Sequence, residues 1–160
     1  MRPNAVRLVG LLVAGCVLGL ITAVSYSQPA TESKEEIAKL FGKWNDALQS
    51  GKPEEVLKLY AKDAILLPTV SNKVRHNHAE IKDYFEHFVE MKPSGKIDEQ
   101  NIRIFGPVAI NSGVYTFTLT KDGKQTQVRA RFTFVYHKEG DRWVIVEHHS
   151  SAMPEGNKIP

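Results

Sequence analysis

One change in the sequence pattern constrains the fold of this chain more than any other feature. Between Ser33 and Val89, most apolar residues recur every three or four positions, which is the period of one face of a helix. From Lys96 onward, apolar and polar residues alternate over four long stretches, which is typical of β-strands. Helices followed by hairpin-linked strands predict an α+β fold. We expect a cone-shaped roll, with the N-terminal helices packed on a curved antiparallel sheet around an internal pocket.

Capping patterns mark where the helices begin. Ser33 and Asn77 each precede a helical stretch, and each is followed three positions later by a glutamate, as in a capping box. Pro53 predicts the first turn of a short helix between them. Residues 64–67 are apolar enough for a short strand, and residues 60–62 before it are predicted to form a turn.

The last strand has an unusual composition, because an apolar beginning leads into ionisable and hydroxyl side chains. Four strands are predicted over residues 97–105, 108–120, 125–137 and 143–151, with a tight hairpin at Asp122-Gly123. The first half of the last strand is apolar on both faces, which predicts a central position in the sheet. Strict alternation puts Trp143, Ile145, Glu147, His149 and Ser151 on one face, and Val144, Val146, His148 and Ser150 on the other.

The first 27 residues have the layout of a secretory signal peptide, with two arginines, an uncharged apolar run over residues 8–24, and small residues before Gln28. Cleavage before Gln28 and export, periplasmic or secreted, are therefore expected, without stable membrane contact afterwards. We expect a signal peptide over residues 1–27, a flexible leader over 28–33, the pocket domain over 34–154 and a tail over 155–160.

Two alternatives to cleavage stay open. Residues 8–24 are close to the shortest length that spans a membrane, so an uncleaved anchor is one alternative. Lipidation at Cys16 is the other, although the apolar run continues beyond that residue. Since Cys16 is the only cysteine, the mature chain would have no disulfide, thiol nucleophile or thiolate metal ligand.

Charge and motifs exclude several classes of function. Without residues 1–27 the chain has 19 basic and 18 acidic residues, a net charge of +1, and no Lys/Arg run that would favour nucleic acid. The sequence has no nucleophile elbow, P-loop or dinucleotide fingerprint, and no cofactor is predicted. His76 and His78 lack a third ligand at a recognisable spacing, so no metal site is predicted.

Arg129 and Arg131 lie among apolar residues of the third long strand. An arginine in such a position needs a partner or a wet cavity, and its planar guanidinium suits a carboxylate. For Arg131 two interpretations stay open, a clamp for a small anion or an ion pair with Glu147 or another acid; for Arg129 the ion pair is favoured. The candidate ligand-binding residues are Arg131, His149, Tyr60, Tyr115 and Thr133.

Acid–base chemistry is the alternative to simple binding. Glu147 and His149 share a strand face and could transfer a proton, and Asp63 could act as a general base near the pocket. Histidines with purely structural hydrogen bonds are commoner, and Asp63 could instead brace a loop. The favoured hypothesis is a non-catalytic pocket domain that binds a small anionic molecule. The alternative is a small cofactor-free enzyme, an isomerase, cyclase or hydrolase that uses His149, Glu147 or Asp63 as its acid or base.

Five segments together resemble a known family: residues 41–48, 60–64, 81–85, 130–136 and 143–154. They are similar to the association (hub) domain of calcium/calmodulin-dependent protein kinase II, and more closely to its free-standing bacterial relatives in the nuclear-transport-factor-2-like (SnoaL-like) superfamily. The resemblance implies a cystatin-like cone-shaped fold, a homodimer or larger homo-oligomer, and an arginine- and histidine-lined pocket for a small carboxylate. Phe134 aligns with a pocket arginine of the kinase version, and Arg131 lies on the opposite strand face.

Overall fold

The computed structural model describes residues 33–154. Its elements in chain order are α1 (Lys34–Gln49), α2 (Pro53–Leu57), β1 (Tyr60–Leu67), α3 (His78–Val89), β2 (Ser94–Phe105), β3 (Val108–Lys121), β4 (Lys124–Glu139) and β5 (Arg142–Ala152). The predicted α+β class is confirmed. The predicted signal peptide, most of the leader and the tail lie outside the described residues, and they stay predictions, as do the domain boundaries.

The helix starts follow the capping patterns of the sequence. The Ser33 hydroxyl accepts a hydrogen bond from the Glu36 backbone N–H at 3.1 Å, and the Asn77 side chain accepts one from the Glu80 N–H at 3.0 Å. In the described part of the chain, no helix is long and apolar enough to cross a membrane.

The turn predicted at residues 60–62 is wrong, because these residues form the start of β1. The backbone N–H of Ile145 binds the Leu59 carbonyl at 2.8 Å, and Tyr60 pairs with Ile145. Pairing with a strand that is distant in the sequence therefore decides the local conformation here.

The five strands form one sheet in the order β1-β5-β4-β3-β2. Strands β2 to β5 are an antiparallel meander, whereas β1 pairs with β5 in parallel. The sheet is thus mixed and not purely antiparallel. Parallel neighbours require a long crossover, which α3 and the first three strands of the meander supply here. Strand β5 has a neighbour on each side, as predicted.

Strand β5 contains a bulge that breaks the strict alternation predicted for it. Ile145 lies opposite Tyr136 while Glu147 lies opposite Val135, so Val146 is the extra residue. Ile145 therefore faces the same side of the sheet as Tyr136, and the prediction that it shares a face with Glu147 is wrong. Beyond the bulge, alternation resumes.

The hydrophobic core lies between the helices and one face of the sheet, which we call the inner face. From α1 and α3 it receives Ile37, Phe41, Trp44, Leu48, Ile81, Phe85 and Phe88, and from β4 it receives Phe132, Phe134 and Tyr136. Trp44 is central to it, because its ring lies 5.2–6.3 Å from those of Phe85, Phe117, Phe134 and His148. Such aromatic contacts add to the free energy gained by burial.

Candidate functional site

The five candidate ligand-binding residues divide between the two faces of the sheet. Tyr60 and Tyr115 are buried in the core, each with 3% of its surface exposed. Arg131, Thr133 and His149 lie on the opposite, outer face, where Arg131 and His149 are exposed and Thr133 is half-buried. A single chain therefore does not bring all five residues around one pocket.

Four outer-face residues are neighbours across β4 and β5. Arg131 lies opposite Ser151, and Thr133, two residues further along β4, lies opposite His149. We call these four residues the outer quartet. Arg131 donates a long hydrogen bond of 3.4 Å from Nη2 to the Ala152 carbonyl. No ion pair within residues 33–154 involves Arg131, so the predicted alternative of a pair with Glu147 is not formed there.

Arg129 forms an ion pair, as the sequence analysis favoured. Its Nε lies 3.6 Å from the Asp98 carboxylate on the neighbouring edge of the sheet. Both side chains are reached by solvent, so this ion pair contributes little to stability.

The three candidate catalytic residues, Asp63, Glu147 and His149, are all exposed. Glu147 and His149 share the outer face, but the structure shows no hydrogen bond between them. A general acid or base that works at neutral pH usually depends on a dry or charged environment that tunes it. None of the three is in a water-excluded cavity.

The buried imidazole of the chain belongs instead to His148, which the sequence interpretation did not select. Strand β5 places it opposite Phe134, and its ring stacks on that phenylalanine with 4.0 Å between centroids. His148 Nδ1 lies 2.8 Å from the Tyr60 hydroxyl, which accepts a hydrogen bond from Trp44 Nε1–H at 3.1 Å. Burial, with a smaller contribution from the nearby His149, lowers the pKa of His148 to about 3.

Hydroxyl groups form a second cluster beside this imidazole. Ser150, which lies opposite Phe132, forms short hydrogen bonds with the hydroxyls of Tyr115 and Thr69. Burial raises the pKa of Tyr115 to about 12, and hydrogen bonds from Ser150 and Thr69 oppose the shift. Alternation along β5 puts His148 and Ser150 on one face together, but the bulge at Val146, which turns that face toward the core, has no signal in the sequence.

The imidazole and the hydroxyls border a cavity of about 30 Å³, which we call the inner cavity. Its walls are Trp44, Leu66, Pro68, Thr69, Val70, Tyr84, Phe85, Phe88, Tyr115, Phe117, Leu119, Val128, Ala130, His148 and Ser150. None of these residues carries a full charge at neutral pH. Val70 is 52% exposed, so the cavity reaches the surface beside it.

A larger surface cleft of about 360 Å³ adjoins the inner cavity and shares Val70, Tyr84 and Phe88 with it. Arg75, which is 8% exposed, lines this cleft with its guanidinium 5.9 Å from the centre of the Tyr84 ring. Arg75 Nη1 contacts the Asp83 carboxylate at 2.5 Å. Within residues 33–154, no three histidine, aspartate or glutamate side chains are grouped to hold a metal ion.

Of the comparisons with known families and with curated proteins, the first gives a match. The family model of the calcium/calmodulin dependent protein kinase II association domain matches residues 33–154. No curated protein matches the chain at a significant level.

Solved structures with the same fold include both bacterial and algal proteins. A Xanthomonas campestris protein described as a calcium/calmodulin dependent protein kinase II association domain is 50% identical, with a TM-score of 0.76 over 79% of this chain and 92% of that chain. The CaMKII hub homology domain of Chlamydomonas reinhardtii is 17% identical, with a TM-score of 0.60 over 74% of this chain and 97% of that one. A nuclear transport factor 2-like superfamily protein from Salmonella enterica is 17% identical, with a TM-score of 0.68 over 77% of this chain and 92% of the other.

The similarities to the Chlamydomonas and Salmonella proteins show the fold alone. The family-model match and the 50% identity to the Xanthomonas protein show the family. The sheet order, the helices on one face and the matched range of residues 33–154 agree with that result. The chain belongs to the calcium/calmodulin-dependent protein kinase II association domain family and has the nuclear-transport-factor-2-like fold.

Proposed function

We propose that this chain is an exported, non-catalytic association domain that forms homodimers or larger homo-oligomers and binds a small anionic molecule. The observation that carries the proposal is the outer face of the sheet. There, partly exposed apolar residues of β3 and β4 lie beside the donor-rich outer quartet.

The apolar part of the outer face supports self-association. Val108, Ile110, Val114 and Val135 project from it and are each partly exposed, and Phe105 at its edge is 58% exposed. A contiguous apolar area of this kind typically marks an interaction surface. A second copy of the chain is the partner that we propose, because the related solved structures are described as association and hub domains.

Light scattering on a sizing column tests the assembly. We expect the chain without residues 1–27 to elute as a dimer or larger species, and Val114→Glu to shift it toward the monomer, because a carboxylate in a closed interface loses its water. Lys39→Glu, on the exposed side of α1, is the control and should leave the mass unchanged. A wild-type chain that is monomeric at high micromolar concentration would contradict this part of the proposal.

The outer quartet supports the anion-binding part. Arg131 offers a planar fork of N–H donors, and the hydroxyls of Thr133 and Ser151 lie on the same face beside it. Enclosure by a second subunit would exclude water and strengthen these contacts. An anion at this position would therefore contact the subunit interface and not the inner cavity.

A thermal-shift screen of small carboxylates tests this site. A ligand at ten times its Kd adds about 1.4 kcal/mol to the free energy of unfolding, which corresponds to about 5 °C in a domain of this size. We expect Arg131→Ala to abolish the shift and Arg129→Ala to preserve it, since Arg129 already pairs with Asp98. If Arg131→Ala leaves the shift of a stabilising carboxylate unchanged, the site is elsewhere.

Export and the lack of catalysis rest on separate observations. The layout of residues 1–27 supports export, and N-terminal sequencing of the exported protein should begin near Gln28.

The exposure of Asp63, Glu147 and His149 supports the absence of catalysis, because none of them has the environment that tunes an acid or base.

A further inference from the structure

The edge strand β2 has a backbone that the described chain leaves uncovered along one side. It is the last strand of the sheet, so it pairs on one side only, with β3. Asn45 covers one end of the free side, because its Oδ1 accepts a hydrogen bond from the Gly95 N–H at 2.8 Å. Within residues 33–154, no backbone hydrogen bond joins residues 99–105 to a segment other than β3. Every second residue there directs its N–H and C=O away from β3.

The free side of β2 has room for another strand. Proteins usually protect an exposed edge with charges, a bulge or a covering segment. In β2 a bulge at Asp98 interrupts the register, but the pairing with β3 is regular from Glu99 to Phe105. An open groove of about 590 Å³ borders residues 100–103 and Lys34 at the start of α1. An extended segment can therefore approach the regular part of this edge.

Two opposite charges mark the regular part. Glu99 and Arg103 are its only charged side chains, and both are exposed. They lie on the outer face, because they pair with Val114 and Ile110 of that face. Within the described chain neither forms an ion pair, although the Glu99 carboxylate accepts a hydrogen bond from Asn101 Nδ2 at 3.0 Å. Four residues along a strand separate Glu99 and Arg103 by about 13 Å, so they cannot pair with each other.

A second copy of β2 is complementary to this pattern. When a strand pairs antiparallel with its own copy about a two-fold axis at Asn101, residues at equal distances before and after the axis lie opposite each other. Glu99 of each copy then lies opposite Arg103 of the other, which makes two ion pairs. An axis at Glu99 or at Arg103 would place like charges together. An axis at Gln100 or Ile102 would leave both charges without a partner.

We propose that β2 is an interface at which two copies of the chain pair edge to edge, antiparallel, with the two-fold axis at Asn101. Backbone hydrogen bonds supply the attraction, and the two Glu99–Arg103 pairs select the register. This interface extends the self-association proposed above to a second surface, but the edge contact does not require the outer-face contact. A chain that uses both surfaces links dimers into a larger assembly.

Charge reversal in two separate variants tests the contact by sedimentation velocity. Glu99→Arg places arginines opposite each other twice, and Arg103→Glu does the same with glutamates. Each change turns two attractive pairs into two repulsive ones, which should weaken the edge contact about 30-fold and reduce the assembly to the mass of a dimer. An equal mixture of the two variants should recover the larger species, because each arginine then faces a glutamate of the other chain.

A cysteine at the proposed axis tests the register. Opposite residues of antiparallel strands have Cα atoms about 4.5–5.5 Å apart, which is within the range of about 4.4–6.8 Å for a disulfide. The chain without residues 1–27 has no cysteine of its own. Asn101→Cys should therefore form a covalent dimer on mild oxidation. Ser94→Cys is the control at an exposed position of the same strand, and should not, because its two copies would lie about 45 Å apart.

Three results would overturn the proposal: a single charge reversal that leaves the sedimentation unchanged, a mixture that does not recover the larger species, or equal cross-linking of Asn101→Cys and Ser94→Cys. Recovery in the mixture requires contact between different chains, so it separates a second copy from any other partner at this edge. Val114→Glu reports on the outer face alone. If it leaves the assembly unchanged while the mixture recovers it, the outer-face contact is refuted and the edge contact stands.

Discussion

The buried imidazole makes the stability of this domain sensitive to mild acid. His148 has a pKa of about 3 in the folded protein, whereas an unfolded histidine titrates near its usual value of about 6.5. Between these two values the unfolded chain binds a proton that the folded chain does not. The contribution of His148 to stability is therefore complete above about pH 6.5, and is lost as the pH falls toward about 3.

The size of the effect follows from linkage. Each pH unit below about 6.5 lowers the free energy of unfolding by about 1.4 kcal/mol, which gives about 2 kcal/mol at about pH 5. Trp44, Tyr60 and Phe134 surround the ring, and none of them supplies a negative charge that would stabilise an imidazolium. The nearest ionisable contributor, His149, acts in the same direction as burial.

Urea denaturation at about pH 7.5 and about pH 5, at one protein concentration, measures this difference. Wild-type protein should lose about 2 kcal/mol more than His148→Phe between the two pH values. The phenylalanine variant leaves the Tyr60 hydroxyl without its acceptor, but that loss is the same at both pH values and cancels in the comparison. His149→Phe removes only the smaller cause of the pKa shift and leaves the imidazole of His148 buried, so it should keep most of the wild-type pH dependence.

Two results would refute the reasoning. One is an equal loss of stability in wild type and His148→Phe, which would assign the acid sensitivity to carboxylates. The other is a His148 titration near pH 6 in the folded protein followed by NMR, which would mean that water or a counter-charge reaches the ring.

Three further substitutions have expected outcomes that urea midpoints can check. Gly113→Ala should destabilise the domain by about 3 kcal/mol, because its Cβ would lie 1.9 Å from a backbone carbonyl oxygen of β2; an unchanged midpoint would contradict the close approach. Gly42→Ala, in α1 with open space around it, should instead stabilise by about 0.5–1 kcal/mol, and a loss of stability would count against that environment. Tyr60→Phe should cost about 1–3 kcal/mol, because it leaves Trp44 Nε1–H and His148 Nδ1 without partners; a neutral result would mean that water replaces the hydroxyl.

Much of the fold could be predicted because local patterns decide it. The capping residues Ser33 and Asn77 set the helix starts, and the apolar period sets the face that each helix buries. The Asp122-Gly123 hairpin was equally clear, since both residues have positive φ, at 50° and 74°. In each case the interacting residues are only a few positions apart, so a short stretch of sequence is enough to predict the structure.

Two features could not be predicted because they depend on pairing between distant segments. The start of β1 at Tyr60 depends on hydrogen bonds to β5, which lies far away in the sequence. The inward position of His148 depends on the bulge at Val146. Without the bulge, strict alternation from the buried Ile145 would turn His149 inward instead. Alternation did separate His148 from His149, but it could not decide which of the two meets the core.

The same bulge bears on how β5 could be transplanted into another protein. On a regular strand, no orientation of this segment both buries Ile145 and keeps Glu147 in water. Grafted into a flat designed sheet, the segment would be frustrated, and it would shift register or leave the sheet. In its own fold the single extra residue relieves this conflict and disfavours a one-residue slip of β5 against β4. A design that borrows this strand must therefore borrow the irregularity with it.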